Sequence, residues 1–264
     1  MSQVPAAQQT LAVLRLLAAQ AGPVPAAAIA RDLCLPRSTT YHLLAVLVEQ
    51  AFVVHLPEER RYGLGIAAFE LGSAYSRQAP LARLARPVLA RLVDAVRQSA
   101  HLAVLHGREV LYVVEERAPG RPPLVTDVGV RLPAHLTASG RAILAGLPAA
   151  QVRALFPGRA AFADRTGTGP TSLPELRRVL TNVRTRGLAA EDGEVTAGFA
   201  SVAVAVHDHS GYPVAGLAVT YPVDDADGLG ASQRRDDVQT RLTAAVLAAA
   251  GELTARIAGR RPRG

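Results

Sequence analysis

The stretch Leu35-Pro36-Arg37-Ser38-Thr39-Thr40-Tyr41-His42-Leu43-Leu44 decides how the N-terminal part of the chain reads. Pro36 has no N–H to lose, so a helix can begin beside it. From there Tyr41, Leu44, Leu47 and Val48 recur at helical spacing and predict a buried stripe on a helix over 37–50. Upstream, Cys34-Leu35-Pro36 is a tight connection from a short helix over 26–33, with Ile29 and Leu33 on one face. Before that, Gly22-Pro23 stops a first helix over 8–20 that carries Leu11, Leu14, Leu17 and Ala18. Downstream, Phe52–Leu56 and Arg61–Leu64 flank a charged turn and read as a β-hairpin. Three helices and a hairpin in this order predict a winged helix-turn-helix.

That architecture lays its second helix of the motif in the major groove of DNA, where the helix start and outer face meet base edges and phosphates. The outward positions are expected to be Arg37, Ser38, Thr39, Thr40 and His42. A guanidinium can grip guanine bidentately, and hydroxyls can reach phosphates or bases. Arg60 and Arg61 on the hairpin can contact the adjacent backbone or minor groove. The same three helices and hairpin could instead serve dimerisation or protein contacts, and Ser and Thr also favour helix starts as caps.

Charge adds little to the choice. The net formal charge is +7, but residues 1–80 hold six Arg against five acids, so most of it lies downstream, partly in Arg256, Arg260, Arg261 and Arg263. All 29 basic residues are Arg. With the abundant Ala this points to a compositional bias, so no single Arg is read as a chosen phosphate contact. One cysteine, Cys34, excludes an internal disulfide and a cysteine-based zinc site, and reads as a small core residue. No apolar run reaches the roughly 18–20 residues needed to cross a bilayer. A soluble cytoplasmic protein is expected, with no membrane association, metal or cofactor.

The rest of the chain alternates helices and strands. Helices are expected over 66–77 and 81–98, the second with Leu84, Val88, Leu92 and Val96 aligned and Pro87 either kinking it or marking its start. Strands follow at 101–106 and 110–116, helices within 136–147 and over 149–156, a loop over 157–172, and a helix over 173–186 ending at Gly187. Two strong strands, 201–207 and 212–221, flank Ser210-Gly211, and a last helix covers 232–257. The expected class is α+β, with a DNA-binding domain at 1–65, a linker helix at 66–80, and an effector-binding and oligomerisation domain at 81–264.

Three separated motifs resemble the IclR family of bacterial regulators: the 35–44 segment with Arg61-Tyr62-Gly63-Leu64-Gly65, the segment Gly129–Ala142, and Gly187–Gly198 with Glu191, Asp192 and Glu194. His42 stands where many members have Arg, and Arg141 where Lys is usual. The resemblance implies a GAF-like effector domain that binds small organic acids or aromatic compounds, and a homodimer or homotetramer on a palindromic operator. Repression is the expected mode of control. It also implies ligand contacts at or near Leu132, Ala138, Ser139, Glu191, Ser201, Ala203, Ala218 and Thr220.

The residues of 129–145 support an anion site independently. An extended Leu132-Pro133 followed by a helix start near Ala138 presents unpaired N–H groups, and Thr137 and Ser139 add hydroxyls. Both could equally be caps, His135 could be a packed core histidine, and the acids at 191–194 could be a solvated turn. With Ala203 and Ala218 as its wall, the pocket is expected to be roomy and apolar, favouring a larger ligand than a two- or three-carbon acid. The alternative reading, a small-molecule enzyme or a ligand-binding adaptor, finds little purchase. His207-Asp208-His209 lacks a third metal ligand and reads as an exposed turn. No nucleophile elbow, phosphate-binding loop or His-Glu-x-x-His motif occurs.

Overall fold

The computed structural model describes residues 4–78, 80–223 and 231–260. Arg261 and Arg263 of the basic tail lie outside them. The chain divides between Ala79 and Pro80 into two compact units.

In the first unit, α1 (Pro5–Ala18), α2 (Ala26–Asp32) and α3 (Arg37–Glu49) pack around Val13, Leu17, Ala26, Ile29, Leu44 and Leu47. The turn between α2 and α3 closes because Cys34 adopts a left-handed φ of 53°. Cys34 is exposed there, so the expected core role is overturned: the turn turns its side chain outward. A three-stranded antiparallel sheet follows, in the order β1 (Val24–Pro25), β3 (Arg61–Leu64), β2 (Val53–Leu56). The two-residue β1 has no period-2 pattern to show itself in the sequence. Gly65 ends the wing where a Cβ would collide with the Ala51 carbonyl. Helix α4 (Ile66–Gln78) belongs to this unit.

The buried stripe of α3 is Thr40, Leu44 and Leu47, not the expected Tyr41, Leu44, Leu47 and Val48. Tyr41 is 54% exposed and Val48 is 37% exposed. Both stripes satisfy a 3.6-residue period. Thr40 can face inward because its Oγ donates to the Pro36 carbonyl (3.1 Å), which removes the penalty for a buried hydroxyl. Helix α1 shifts likewise, burying Val13 and leaving Leu11 exposed.

The second unit is a six-stranded antiparallel sheet in the order β6-β5-β4-β9-β8-β7. Its strands are β4 (Ser99–His106), β5 (Glu109–Glu116), β6 (Arg131–Pro133), β7 (Ala189–Asp192), β8 (Phe199–His207) and β9 (Pro213–Pro222). Helices α5 (Pro80–Val96) and α9 (Ala231–Arg256) pack on β4, β5, β8 and β9, and α6 (Ala138–Gly146) packs on the alternate residues of β8 and β9. Pro87 lies inside α5 rather than at its start. The small helices α7 (Ala149–Leu155) and α8 (Leu173–Arg186) complete the layer around α6, and a single 3-10 turn at Arg159–Ala161 interrupts the loop between them. Gly187 ends α8 in the left-handed conformation (φ 68°), as its position predicts. The α+β class is the one found.

Alanine and glycine set the distance of α6 from the sheet. Ala103, Ala138, Ala142, Ala203 and Ala218 share one buried cluster. A Cβ on Gly216 of β9 would strike the Ser139 backbone, and one on Gly140 would strike the Ala134 backbone. The start of α6 therefore presses directly onto the strands.

Candidate DNA-reading face and effector cavity

On α3, Arg37, Ser38 and His42 are exposed and Thr39 is half-buried. Thr40, expected to face outward, is fully buried and unavailable to DNA; its place on the helix surface falls to Tyr41, one turn beyond Arg37. Arg60 is exposed at the wing tip in a left-handed turn (φ 53°). Arg61 is exposed as well, and its guanidinium donates to the Pro23 carbonyl (3.0 Å), tying the wing to β1. Tyr62 stacks on His55 across the hairpin with ring centres 4.5 Å apart.

In the second unit, a cavity of about 50 Å³ opens between the start of α6 and the ends of β4, β5, β8 and β9. It gathers Thr137, Ala138, Ser139, Glu191, Ser201 and Thr220 from the expected positions. Register explains the convergence: Glu191 pairs with Ser201, Ser201 with Thr220, and Thr220 with Ser99, placing the polar groups in a row across neighbouring strands. Leu132, Ala203 and Ala218, expected at the ligand, do not line the cavity. They are buried in the apolar cluster beneath α6, where the alanines permit close helix packing instead of leaving space. The cavity is small where a roomy one was expected, and most of its exposed wall is apolar, with the polar groups set among apolar neighbours.

Sequence reasoning missed His101 on β4, Tyr112 on β5, Phe199 on β8, and the covering segment Pro123–Thr126. Period-2 alternation places His101 and Tyr112 on a strand face but does not say which face meets a cavity.

The polar groups form a directed chain. His101 Nε2 lies 3.4 Å from Thr220 Oγ1, which lies 2.9 Å from Ser201 Oγ, and Ser201 Oγ donates to Glu191 Oε1 at 2.6 Å. Glu191 Oε2 accepts from the Glu194 backbone N–H (3.2 Å). Burial pushes the Glu191 carboxyl up to about 7; the Ser201 hydrogen bond opposes this, Glu194 adds to it, and Arg141 counters it weakly. Burial also holds His101 near 4, so the imidazole is neutral. Its Nε2 faces Thr220 Oγ1, and its Nδ1 has no hydrogen-bond partner. Ser139 Oγ and Thr126 Oγ1 are likewise buried without a bond of good geometry. The Tyr112 phenol lies near Ser139, and burial raises its pKa. Thr137 caps α6, accepting from the Gly140 N–H at 3.1 Å, so it serves as a cap and a wall at once.

Behind the cavity, Arg141 is 3% exposed and makes four hydrogen bonds within the fold. It makes a fork with both carboxylate oxygens of Glu194 (2.8 and 3.1 Å) and donates to the carbonyls of His135 (2.8 Å) and Ala190 (2.8 Å). Its charge is therefore spent within the fold rather than offered to a ligand. His135 sits between Phe156 and Phe162 with its Nε2 on the Ala163 carbonyl (2.9 Å), the packed core arrangement. At the 208–212 turn, Asp208 accepts from Ser210 and from the Tyr212 N–H, and no cluster among the described residues could hold a metal ion. No helix among the described residues is long and apolar enough to cross a membrane.

A helix-turn-helix unit followed by a separate cavity-bearing α+β unit is the arrangement of a two-domain transcription regulator. Comparison with known proteins makes the class specific. The model "Bacterial transcriptional regulator IclR C-terminal" matches residues 73–253, and "IclR helix-turn-helix domain" matches residues 6–57. The chain belongs to the IclR family of transcriptional regulators, a family of regulators rather than enzymes.

Among relatives, it is 34% identical to the glycerol operon regulatory protein of Streptomyces coelicolor over 217 residues, covering 82% of this chain and 84% of that one. It is 28% identical to the transcriptional repressor IclR of Escherichia coli over 263 residues, covering 98% and 92%. It shares its fold with an IclR homologue from Microbacterium hydrocarbonoxydans solved with 4-hydroxybenzoate (TM-score 0.78, 22% identity, 96% and 98% covered).

Proposed function

We propose that this regulator is a repressor that binds a palindromic operator as a homodimer or homotetramer and is switched by a small organic acid held in the α6 cavity. The observation that carries the reading is the cavity itself: three buried polar atoms without a hydrogen-bond partner, His101 Nδ1, Ser139 Oγ and Thr126 Oγ1, belong to side chains that line one space. Leaving such atoms unpaired costs about 1–3 kcal/mol each, a cost that a polar ligand removes.

The first-turn N–H groups of Ala138 and Ser139 and the positive end of α6 favour a carboxylate. The volume is that of roughly four water positions, which suits a short acid better than a ring with substituents. The named repressor and 4-hydroxybenzoate-bound relatives support the general scheme, each on its own account. DNA reading is assigned to Arg37, Ser38, Thr39 and His42, with Tyr41 added and Thr40 removed, and Arg60 and Arg61 on the backbone. A second copy fits the exposed apolar residues Ile66 and Phe69, one turn apart on α4.

Fluorescence anisotropy with the chain's own upstream DNA tests the reading. Salt-sensitive binding to a palindrome, altered by glyoxylate, lactate or a similar short acid, is expected. Loss of that response but not of DNA binding in Ser139→Ala locates the ligand. Failure to bind any upstream DNA at low salt would sink it.

A further inference from the structure

The geometry points to a second small-molecule site in the sensor unit, a cleft beside the bare half of β8 that takes an amphipathic monocarboxylate, with its carboxylate on Arg184 and its alkyl chain among alanines. The cleft is separate from the α6 cavity and its volume is about 470 Å³. That falls within the range of roughly 300–1,000 Å³ in which ligand pockets lie.

Its walls follow from the topology. Strand β7 pairs with β8 only as far as Ala203, so beyond that point no strand among the described residues borders this edge of β8. Gly187 turns the chain sharply from α8 into β7, which leaves α8 and β8 apart. The side chains that border the gap are short: Ala145 from α6, Val183 from α8, Ala205 from β8 and Leu247 from α9. Such a wall offers a polar molecule nothing, but it favours an alkyl chain, whose apolar surface leaves water on entering it.

The one cation among the cleft residues whose charge is unspent is Arg184. Its Nε donates to the Ala145 carbonyl (2.8 Å), which holds the guanidinium beside the cleft. No acid among the described residues forms an ion pair with it, in contrast to Arg141 on the other side of α6. The two terminal nitrogens are therefore free to take a carboxylate bidentately. An apolar trough with a single guanidinium at its rim matches one acid group on a hydrocarbon tail. The site stands whether or not the α6 cavity holds an effector.

Calorimetric titration of the full chain with decanoate, kept below its micelle concentration, tests the assignment. Saturable binding of one decanoate per chain is expected, with decanol and butyrate each weaker by about tenfold or more. Arg184→Gln should cost about tenfold in decanoate affinity while decanol is unchanged. Ala205→Leu should fill the trough and abolish binding of both, and Ser139→Ala should leave both as they were. The assignment is overturned by absent or unsaturable decanoate binding, or by decanoate binding that Arg184→Gln leaves intact. It is equally overturned if Ser139→Ala removes binding, which would place the chain in the α6 cavity. A change of oligomeric state in Ala205→Leu without decanoate binding by the wild type would show the cleft to be an interface between copies.

Discussion

Two residues carry more than their sequence context announces. Glu191 is a carboxylate in a buried row of neutral donors and acceptors, with its pKa raised to about 7 by burial. Because the folded chain then holds a proton that the unfolded chain releases near 4.5, the fold gains relative stability at low pH and loses it as pH rises through 7. Glu191→Gln keeps an acceptor for Ser201 but cannot ionise. The variant is expected to gain on the wild type between pH 5.5 and pH 8.5, by roughly 2–3 kcal/mol at full ionisation, read from denaturant melts at both pH values. An equal difference at both would show that Glu191 is not the titrating group.

Thr40 makes the opposite point: a residue on the helix assigned to DNA reading whose side chain is buried within the fold. Thr40→Val should cost about 1 kcal/mol of stability and leave operator affinity unchanged below the melting range. Arg37→Ala should leave the melt alone and weaken DNA binding by about tenfold. Affinity lost in Thr40→Val without a change in melting temperature would reverse these roles.

At the scale of elements, α6 is the part on which the site depends. Its N-terminus lines the cavity, its alanines and Gly140 let it lie close to β8 and β9, and Arg141 clamps it to Ala190 of β7 and to Glu194 just beyond that strand. Removing the guanidinium would leave Glu194 without its counter-ion, so Arg141→Ala is expected to destabilise the sensor unit by about 3–5 kcal/mol in thermal or urea unfolding. Gly216→Ala should act on function first: with a Cβ under Ser139, α6 must shift from the strands and the cavity must change shape. Loss of effector response with DNA binding retained is the expected outcome, and an unaltered response would show that the contact can relax.

For the whole molecule, the division between Ala79 and Pro80 separates two hydrophobic cores. A fragment covering residues 80–264 should fold alone, melt cooperatively by circular dichroism and bind the same short acid as the full chain, but bind no DNA. A fragment without a cooperative transition would mean that the sensor core is completed by the first unit.

How much of this was legible without coordinates follows from the range of each signal. The order of nearly every helix and strand, the wing, Gly187 as a helix stop, and the hydroxyls of Ser139, Ser201 and Thr220 came from local chemistry, periodicity and turn residues, while Glu191 came from the resemblance to the IclR family alone. The facing of α3 did not, because stripes through Thr40 and through Tyr41 both fit a helical period, and only packing against α1 and α2 chooses between them. The size of the cavity did not either. Ala203 and Ala218 read as space in a sequence, since a small side chain leaves room, but tertiary packing filled that room with the backbone of α6. His101, Tyr112 and the covering segment Pro123–Thr126 joined the site only when β4, β5 and the loop between β5 and β6 were brought to α6 from far along the chain. The sequence by itself determined the kind of molecule and its elements, which depend on neighbours within a few residues. Which faces turn inward, and what volume remains between them, depends on contacts across the whole chain and was decided by the tertiary structure alone.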